Sequence, residues 1–332
     1  MVRPIGGPGP LGLIIPPAPE EILPGHVGDT NGSTTGDTLG STGTLSAFCS
    51  AAESAGAGAL WAVDHLFWPR PTLECLTTLA VAATATRRTA LGSCVLQLPL
   101  RRPAAVAKQA AALQLLSGGR FVLGVGVGSH PGEYEMAGVD FADRGALADA
   151  GIAALRRAWE SAGDPGLPYR QEPAAPPVPV WVGGSSAAAR RRAAGADGWV
   201  PMFLAAPDYA RGLDALRAET AAAGRDPKQV TAAVVVVVRV GVRPDAARRG
   251  AEWLSALYSI PPRAFERHLV AGTAAACAEQ LQGYFESGAD HVAVMVAADH
   301  ALDQFAELVG AFPATAGRAA VGHRPDLVEM GV

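Results

Sequence analysis

The chain has 332 residues, of which 27 are basic and 31 acidic, so its formal net charge is −4. A slightly acidic chain of this kind argues against a nucleic-acid or anionic-membrane surface. Its longest apolar stretches fall far short of the ~20 residues of a membrane-spanning helix, and its first residues lack the apolar centre of a signal peptide. We therefore expect a cytoplasmic protein whose partner is a small-molecule substrate.

Predicted strands and helices alternate along the first 130 residues. Short apolar runs end at turn residues, and longer stretches with the helical spacing of apolar residues lie between them. The predicted strands are 11–15, a segment around Trp61, 89–95 and 121–127, and the predicted helices are 45–55, 73–88 and 103–116. Because parallel strands need long crossover connections, this alternation indicates a parallel α/β sheet.

The alternation continues to residue 312. The remaining predicted strands are 180–182, 198–202, 230–242 and 291–296, and the predicted helices are 147–159, 185–194, 208–223, 273–285, capped by Thr273, and 302–312. Eight strands alternating with helices at this length predict a single (β/α)8 TIM barrel over residues 1–332.

Three irregular segments are expected to be loops or insertions at the carboxyl-terminal rim of the barrel: 25–43, 129–179 and 243–272. Within the second segment, Pro131-Gly132 predicts a turn.

Gly124, Gly126 and Gly128 favour an alternative fold, a doubly wound nucleotide-binding domain followed by a second domain. The dinucleotide fingerprint also needs a glycine inside the next helix and an acid at the end of the next strand, and neither is in place. The small residues either let a flat ligand ring approach the barrel mouth or allow neighbouring strands to pack closely, and the sequence leaves both open.

The Trp61 strand ends abruptly at Asp64 and His65. The carboxyl ends of barrel strands form the mouth where ligands bind, so polar residues there are candidates for chemistry. Histidine exchanges protons near neutral pH, which makes His65 a candidate catalytic residue. The alternative is a structural histidine that is bonded to Asp64 or to the backbone.

A second candidate site follows the fifth predicted strand, where Gly183 and Gly184 lead into a helix that starts at Ser185. Free backbone N–H groups and the positive end of the helix converge there, as in many phosphate sites. Since the chain has only two lysines, Lys108 and Lys228, the donors would be backbone, hydroxyl or guanidinium groups. The alternative is a glycine turn with an ordinary serine N-cap.

The cysteines Cys49, Cys75, Cys94 and Cys277 are scattered, with no Cys-x-x-Cys pair and no histidine at ligand spacing. This pattern is typical of free thiols in a reducing compartment, and we expect no metal site. A zinc hydrolase on the same barrel is excluded because no paired histidines close successive strands.

Three segments of the chain resemble the luciferase-like monooxygenase superfamily. They are residues 61–65 (Trp-Ala-Val-Asp-His), residues 91–101, and residues 116–128, which carry a Ser-Gly-Gly-Arg turn before the glycine-rich strand. The resemblance covers about residues 11–312, and within the superfamily the chain is most similar to the actinobacterial branch that uses the deazaflavin coenzyme F420.

This resemblance implies a cofactor, F420 or alternatively FMN, that lies across the carboxyl ends of the strands. His65 would face the reactive ring and exchange a proton, and Asp64 would orient His65 or contact the cofactor. Cys94–Val95 stands where many members have a non-prolyl cis peptide, and members often form homodimers. The residues implied to bind the cofactor are Asp64, Ser93, Cys94, Val95, Val127, Gly128, Ser129, Gly183, Gly184 and Ser185.

Ser129 stands where the sugar-phosphate dehydrogenases of the superfamily carry an acidic glutamate, which argues against that activity. The resemblance implies hydride transfer between F420 and a small organic substrate, in the direction of reduction, with His65 managing the proton. The near-absence of lysine and the polar, almost uncharged segment 25–43 favour a neutral, biosynthetic substrate. Two alternatives stay open: a monooxygenase that uses reduced FMN, and a non-catalytic binding or scaffold relative.

Overall fold

Parallel strands close into a ring in the computed structural model, which describes residues 9–16, 40–242 and 244–312. The described strands are β1 (Leu11–Ile14), β2 (Ala59–Ala62), β3 (Ala90–Ser93), β4 (Leu96–Gln97), β5 (Phe121–Gly126), β6 (Val180–Gly183), β7 (Gly198–Val200), β8 (Thr231–Val240), β9 (Leu269–Gly272) and β10 (His291–Val296). Eight of them pair in the order β1-β2-β3-β5-β6-β7-β8-β10, and β10 pairs with β1 to close the barrel. The predicted (β/α)8 barrel is confirmed, and each predicted strand overlaps one barrel strand.

Helices connect the strands and cover the barrel. They are α1 (Gly40–Ser54), α2 (Cys75–Ala85), α3 (Pro103–Leu116), α4 (Pro131–Ala137), α5 (Arg144–Glu160), α6 (Ala187–Ala194), α7 (Ala206–Ala222), α8 (Asp245–Tyr258), α9 (Ala274–Glu286) and α10 (Ala301–Ala311). α3 has the predicted bounds. The predicted cap of α9 is also confirmed, because the Thr273 side chain accepts a hydrogen bond from the backbone N–H of Ala276.

Two apolar clusters explain the β-branched run of β8. Val234 and Val236 belong to the core between the barrel and its helices, whereas Val235 and Val237 belong to a second buried cluster contributed mainly by alternate residues of the barrel strands. A parallel strand that is buried on both faces requires apolar residues at every position.

Tryptophan side chains fill part of the barrel interior. The ring centroids of Trp61 and Trp181 lie 5.3 Å apart, and Trp61 Nε1 donates a hydrogen bond to His291 Nε2 over 3.0 Å. Burial lowers the pKa of His291 to about 3, so this histidine is neutral and can accept that bond. The Trp61 indole packs directly against Gly92, where a Cβ atom would lie 2.2 Å from the ring.

A bulge separates β3 from β4 at the barrel mouth. Gly92 pairs with Val122, and Leu96 pairs with Val125. Leu96 lies four residues after Gly92, whereas Val125 lies three residues after Val122. The segment from β3 to β4 therefore contains one extra residue, which forms the bulge. The Cys94–Val95 peptide inside this bulge is cis, as the family resemblance implies.

The glycines of β5 and β6 make room for the bulge. A Cβ at Gly126 would lie 2.4 Å from Val95 Cγ2, and one at Gly183 would lie 2.8 Å from Val95 Cγ1. A Cβ at Gly124 would lie 2.1 Å from the carbonyl oxygen of Ser93. Of the two explanations that the sequence leaves open, close packing of neighbouring strands is therefore the one that the structure supports.

Replacement of Gly126 by alanine is expected to destabilise the fold. The added methyl group would meet Val95, which cannot retreat because it also lies against Gly183. Overpacking of this kind lowers the free energy of unfolding by about 1–3 kcal/mol, which urea denaturation would measure. Gly283→Ala is the matched control, because nothing lies within 4 Å of a Cβ in that helical position. Equal stability of the two variants would show that the bulge does not need the glycine.

The structure corrects three sequence-based predictions. Pro131-Gly132 does not form a turn but begins α4, with His130 as N-cap, because proline at the first helical position loses no hydrogen bond. The segment 243–272, predicted to be irregular, contains α8 and β9. In the predicted loop 25–43, residues 40–43 belong to α1, and the remaining residues lie outside the described ranges.

Candidate active site

His65 forms a hydrogen bond with a carboxylate that lies beyond the end of another strand. Its Nδ1 atom lies 3.0 Å from Oε2 of Glu133. His65 follows β2, whereas Glu133 lies in the first turn of α4, after β5. The side chain of Glu133 is 2% exposed and that of His65 is 20% exposed. The mouth of the barrel therefore brings together an imidazole and a carboxylate 68 residues apart.

Hydrogen bonds keep Glu133 ionised. The carboxylate accepts from the backbone N–H groups of Leu66 at 3.0 Å and Phe67 at 3.3 Å, and from Gln97 Nε2 at 3.1 Å. Burial alone would raise the pKa of Glu133, but the bonds from His65, Gln97 and the backbone outweigh burial, and the pKa of Glu133 is lowered. Glu133 is therefore a carboxylate at neutral pH.

This carboxylate selects the tautomer of His65. A carboxylate can only accept, so Nδ1 of His65 carries a proton and donates it to Glu133. Nε2 has no hydrogen-bond partner among the described residues. In the neutral ring Nε2 is a proton acceptor, and in the charged ring it is a proton donor. His65 is thus arranged to exchange a proton at Nε2, while its hydrogen bond to Glu133 keeps the other proton on Nδ1.

Asp64 does not take part in this pair. Its carboxylate accepts from the backbone N–H of Gln97 at 2.8 Å and from Arg101 at 2.6 Å, and Arg101 also lies 3.0 Å from Glu74. The suggested role of Asp64 in orienting His65 is therefore corrected, because Glu133 engages Nδ1. The carboxylate of Asp64 links the end of β2 to the bulge and to the start of α2.

Aromatic rings surround His65. Trp68 stacks on its imidazole with ring centroids 3.9 Å apart, and His130 meets Trp68 edge-on at 4.4 Å. Burial, assisted by the neighbouring His65, lowers the pKa of His130, so His130 is neutral at pH 7. Next to this cluster lies a cavity of about 530 Å³, bounded by the β2–α2 loop, the start of α4 and the end of α8.

The β6–α6 turn has the chemistry of a phosphate site. Gly184 is exposed, with a left-handed φ of 102°. Helix α6 begins at Ala187, two residues later than the predicted start, and the side chain of its N-cap Ser186 accepts from Ala189 N–H. The N–H groups of Ala187 and Ala188 then have no intrahelical acceptor.

A guanidinium group lies beside this turn. Arg190 donates to the carbonyl oxygen of Ser185 at 3.3 Å, and its buried Nε has no hydrogen-bond partner, although Glu219 lies 3.8 Å away. Unused backbone N–H donors and a cation suit the phosphate group of a nucleotide-like cofactor.

The other residues implied to bind a cofactor lie around the bulge. Cys94 and Val95 are partly exposed at the mouth, whereas Ser93 is buried and donates from its hydroxyl to the Gly124 carbonyl at 2.8 Å.

The segment after β5 contains the remaining residues of this set. Gly128 has a φ of 69° and lies against Gln97, and Ser129 is exposed. The carbonyl of Val127 accepts from the Tyr134 hydroxyl. Because Val95 also lies against Gly183, the bulge connects the surroundings of His65 to β6.

Sequence reasoning missed Glu133, Gln97 and Arg101. The signal for Glu133 was proline at the first helical position followed by an acid, which is typical of a helix start with favourable dipole charge. Gln97 and Arg101 have no comparable signal, because their importance depends on contacts with Asp64 and Glu133 across neighbouring strand ends.

A closed parallel barrel with its polar cluster at the carboxyl ends of the strands defines the class of (β/α)8 barrels that bind ligands at that end. The family model described as luciferase-like monooxygenase matches residues 23–259. The chain belongs to this family.

The sequence relatives of the chain include mycobacterial proteins. A phthiodiolone/phenolphthiodiolone dimycocerosates ketoreductase of Mycobacterium tuberculosis is 34% identical over 202 residues, which cover 54% of this chain and 52% of the relative. An uncharacterised protein of the same species is 41% identical over 139 residues, covering 40% of this chain and 48% of that protein. The chain thus matches about half the length of these curated relatives.

Solved structures share the fold. An F420-dependent secondary alcohol dehydrogenase in complex with an F420–acetone adduct has a TM-score of 0.70 at 18% identity, covering 83% of this chain and 94% of that one. The oxygenating constituent of 3,6-diketocamphane monooxygenase from Pseudomonas putida, in complex with FMN, has a TM-score of 0.65 at 16% identity, covering 90% and 94%.

Within the described ranges, no helix is long and apolar enough to cross a membrane. The same part of the chain contains no cluster of three or more His, Cys, Asp or Glu side chains placed to hold a metal ion.

Proposed function

We propose that the protein transfers a hydride from reduced coenzyme F420 to a carbonyl or unsaturated carbon of a neutral organic substrate, while His65 supplies the accompanying proton. The observation that carries this proposal is the His65–Glu133 pair at the barrel mouth. Support for the direction comes from the mycobacterial relative named as a ketoreductase. Support for the cofactor comes from the F420-dependent alcohol dehydrogenase of the same fold.

The residues that would hold the cofactor are those of the β6–α6 turn and the bulge. Arg190 and the N–H groups at the start of α6 would bind its phosphate, and the partly exposed Cys94 and Val95 would contact its ring. When bound, reduced F420 supplies the hydride. The protein contributes orientation and electrostatics, as usual for cofactor enzymes.

His65 manages the proton at one defined atom. In its charged form, Nε2 donates to the substrate oxygen or to the carbon next to the reduced position. The hydrogen bond to Glu133 keeps a proton on Nδ1 before and after this step. Loss of the other proton therefore leaves a neutral ring whose Nε2 can be reprotonated. Trp68, which stacks on the imidazole, limits access of water to one face of His65.

A monooxygenase that uses reduced FMN is the second candidate. It is favoured by the FMN complex of the diketocamphane enzyme and by a monooxygenase from Streptomyces bottropensis, which has a TM-score of 0.70 at 20% identity and covers 90% of this chain and 97% of that one. The two candidates differ in cofactor and in their need for dioxygen.

Titration of the protein with F420 and with FMN, followed by cofactor fluorescence, tests the choice. We expect F420 to bind at least about tenfold more tightly than FMN, a difference of about 1.4 kcal/mol. Arg190→Gln is expected to weaken F420 binding about tenfold by removing a charged donor, whereas Arg191→Gln, an exposed neighbour, is the matched control. Tight FMN binding without F420 binding would overturn the proposal.

A further inference from the structure

We infer that the cavity beside His65 is the substrate pocket and that it selects uncharged, flat ketones that carry an aromatic or alicyclic ring. This inference rests on the proposed function, because it assigns a substrate class to the same site. The cavity of about 530 Å³ has the size of a pocket for a small organic ligand.

The cavity lies next to the His65–Glu133 pair and is lined by residues that contact His65. Trp68, His130 and Glu133 line it. Trp68 stacks on His65 at 3.9 Å, and Glu133 holds His65 at 3.0 Å. A ligand in this cavity therefore lies against the groups that surround His65.

Aromatic side chains form the walls. Trp68 and Tyr258 line the cavity, with ring centroids 6.2 Å apart and planes inclined by 74°, and Phe67 adds an aromatic ring that is 45% exposed. Flat rings bind well against aromatic walls because offset-stacked and edge-to-face contacts are both favourable there. Contiguous apolar patches that stay accessible often mark ligand-binding sites.

Two further aromatic rings pack against Tyr258. Its ring meets Phe203 at 5.9 Å and Phe265 at 5.9 Å. Phe203 has a left-handed φ of 58°, a conformation that a bulky residue adopts at a cost and that is frequent at functional sites. A wall fixed in advance lowers the entropic cost of binding a rigid ligand.

The lining carries two formal charges, a negative one on Glu133 and a positive one on Arg70. Glu133 is paired with His65, and His130 is neutral. Arg70 is the remaining cation of the lining, and its Nε donates to the carbonyl oxygen of Ala256 in the last turn of α8 at 2.5 Å. The partial negative charge of a helix carboxyl end offsets part of this cation. An uncharged ligand suits this lining better than an anion.

In the reaction, the carbonyl carbon gains a hydride from reduced F420 and the carbonyl oxygen gains the proton of His65. The C=O double bond becomes a C–O single bond, F420 is oxidised, and the product is a secondary alcohol. An aromatic or alicyclic ring next to the carbonyl would lie against the exposed sides of Trp68 and Tyr258.

Three ketones test the inference: acetophenone, which is flat and neutral; 4-acetylbenzoate, which adds a charge to the same ring; and acetone, which lacks the ring. We expect acetophenone to have a KM at least about tenfold lower than that of the other two. Tyr258→Ala should raise the KM for acetophenone about tenfold or more and leave that for acetone nearly unchanged. Tyr258→Phe restores the ring and should recover most of the affinity. Tyr169→Ala, at a 95% exposed site outside the cavity, is the matched control.

Calorimetric titration of the cofactor-free protein with acetophenone separates the pocket from the chemistry. If binding follows the same order across the variants but F420 supports no turnover, the proposed function fails and the pocket stands. If the wild-type protein reduces all three ketones with equal KM, or Tyr258→Ala changes nothing, the pocket assignment is overturned.

Discussion

Replacement of His65 by alanine is expected to lower kcat/KM for ketone reduction by about 100- to 10,000-fold. This is the usual contribution of a positioned general acid, and the described part of the chain places no other proton donor in contact with Glu133 except amide groups. Steady-state kinetics with reduced F420 and acetophenone would measure the loss.

The His65→Ala variant should still bind F420, because the β6–α6 turn is unchanged. His300→Ala is the matched control, since His300 is exposed at the start of α10. Undiminished turnover by His65→Ala, with cofactor affinity intact, would remove His65 from the mechanism.

The second large effect is expected for Glu133→Gln. Glutamine can accept the backbone N–H groups of Leu66 and Phe67 with its oxygen, but its amide nitrogen is then a second donor facing Nδ1–H of His65. The imidazole loses its fixed orientation, and we expect kcat/KM to fall about 10- to 100-fold, as is typical when the partner of a functional histidine is removed.

Measurement of the melting temperature separates this role from a general loss of structure. Because the pKa of Glu133 lies below its usual 4.5, the wild-type residue is a carboxylate throughout the range pH 6 to 8, in which the variants would be compared. Glu135→Gln, at an exposed position of the same helix, is the control and should behave like wild type. Equal losses in the two variants, or a lowered melting temperature that accounts for the loss, would contradict the positioning role.

The barrel itself could be predicted because its signals are local. The apolar run of β8 and the alanine-rich α3 carry period and length information in a single stretch of sequence. Helix α8 was missed although its buried residues, Ala246, Gly250, Ala251 and Leu254, recur at helical spacing.

The candidate site could be predicted only in part. Asp64 and His65 stand at a visible strand end, but the residues that fix their chemistry come from elsewhere: Glu133 lies 68 residues beyond His65, and Arg101 lies 37 residues beyond Asp64. Such contacts depend on which strand ends become neighbours in the barrel, and no periodicity in the sequence encodes them. The Pro131-Gly132 pair concealed Glu133, because the same dipeptide suits a turn and a helix start.

The most direct test of F420-dependent ketone reduction is an anaerobic single-turnover experiment. Reduced F420 and acetophenone are mixed with the enzyme in the absence of dioxygen, and the visible absorbance of oxidised F420 is followed together with alcohol formation. We expect rapid oxidation of the coenzyme, one alcohol formed per coenzyme oxidised, and a rate at least about 100-fold lower for His65→Ala. Turnover that requires dioxygen and reduced FMN, with none from F420, would contradict this expectation.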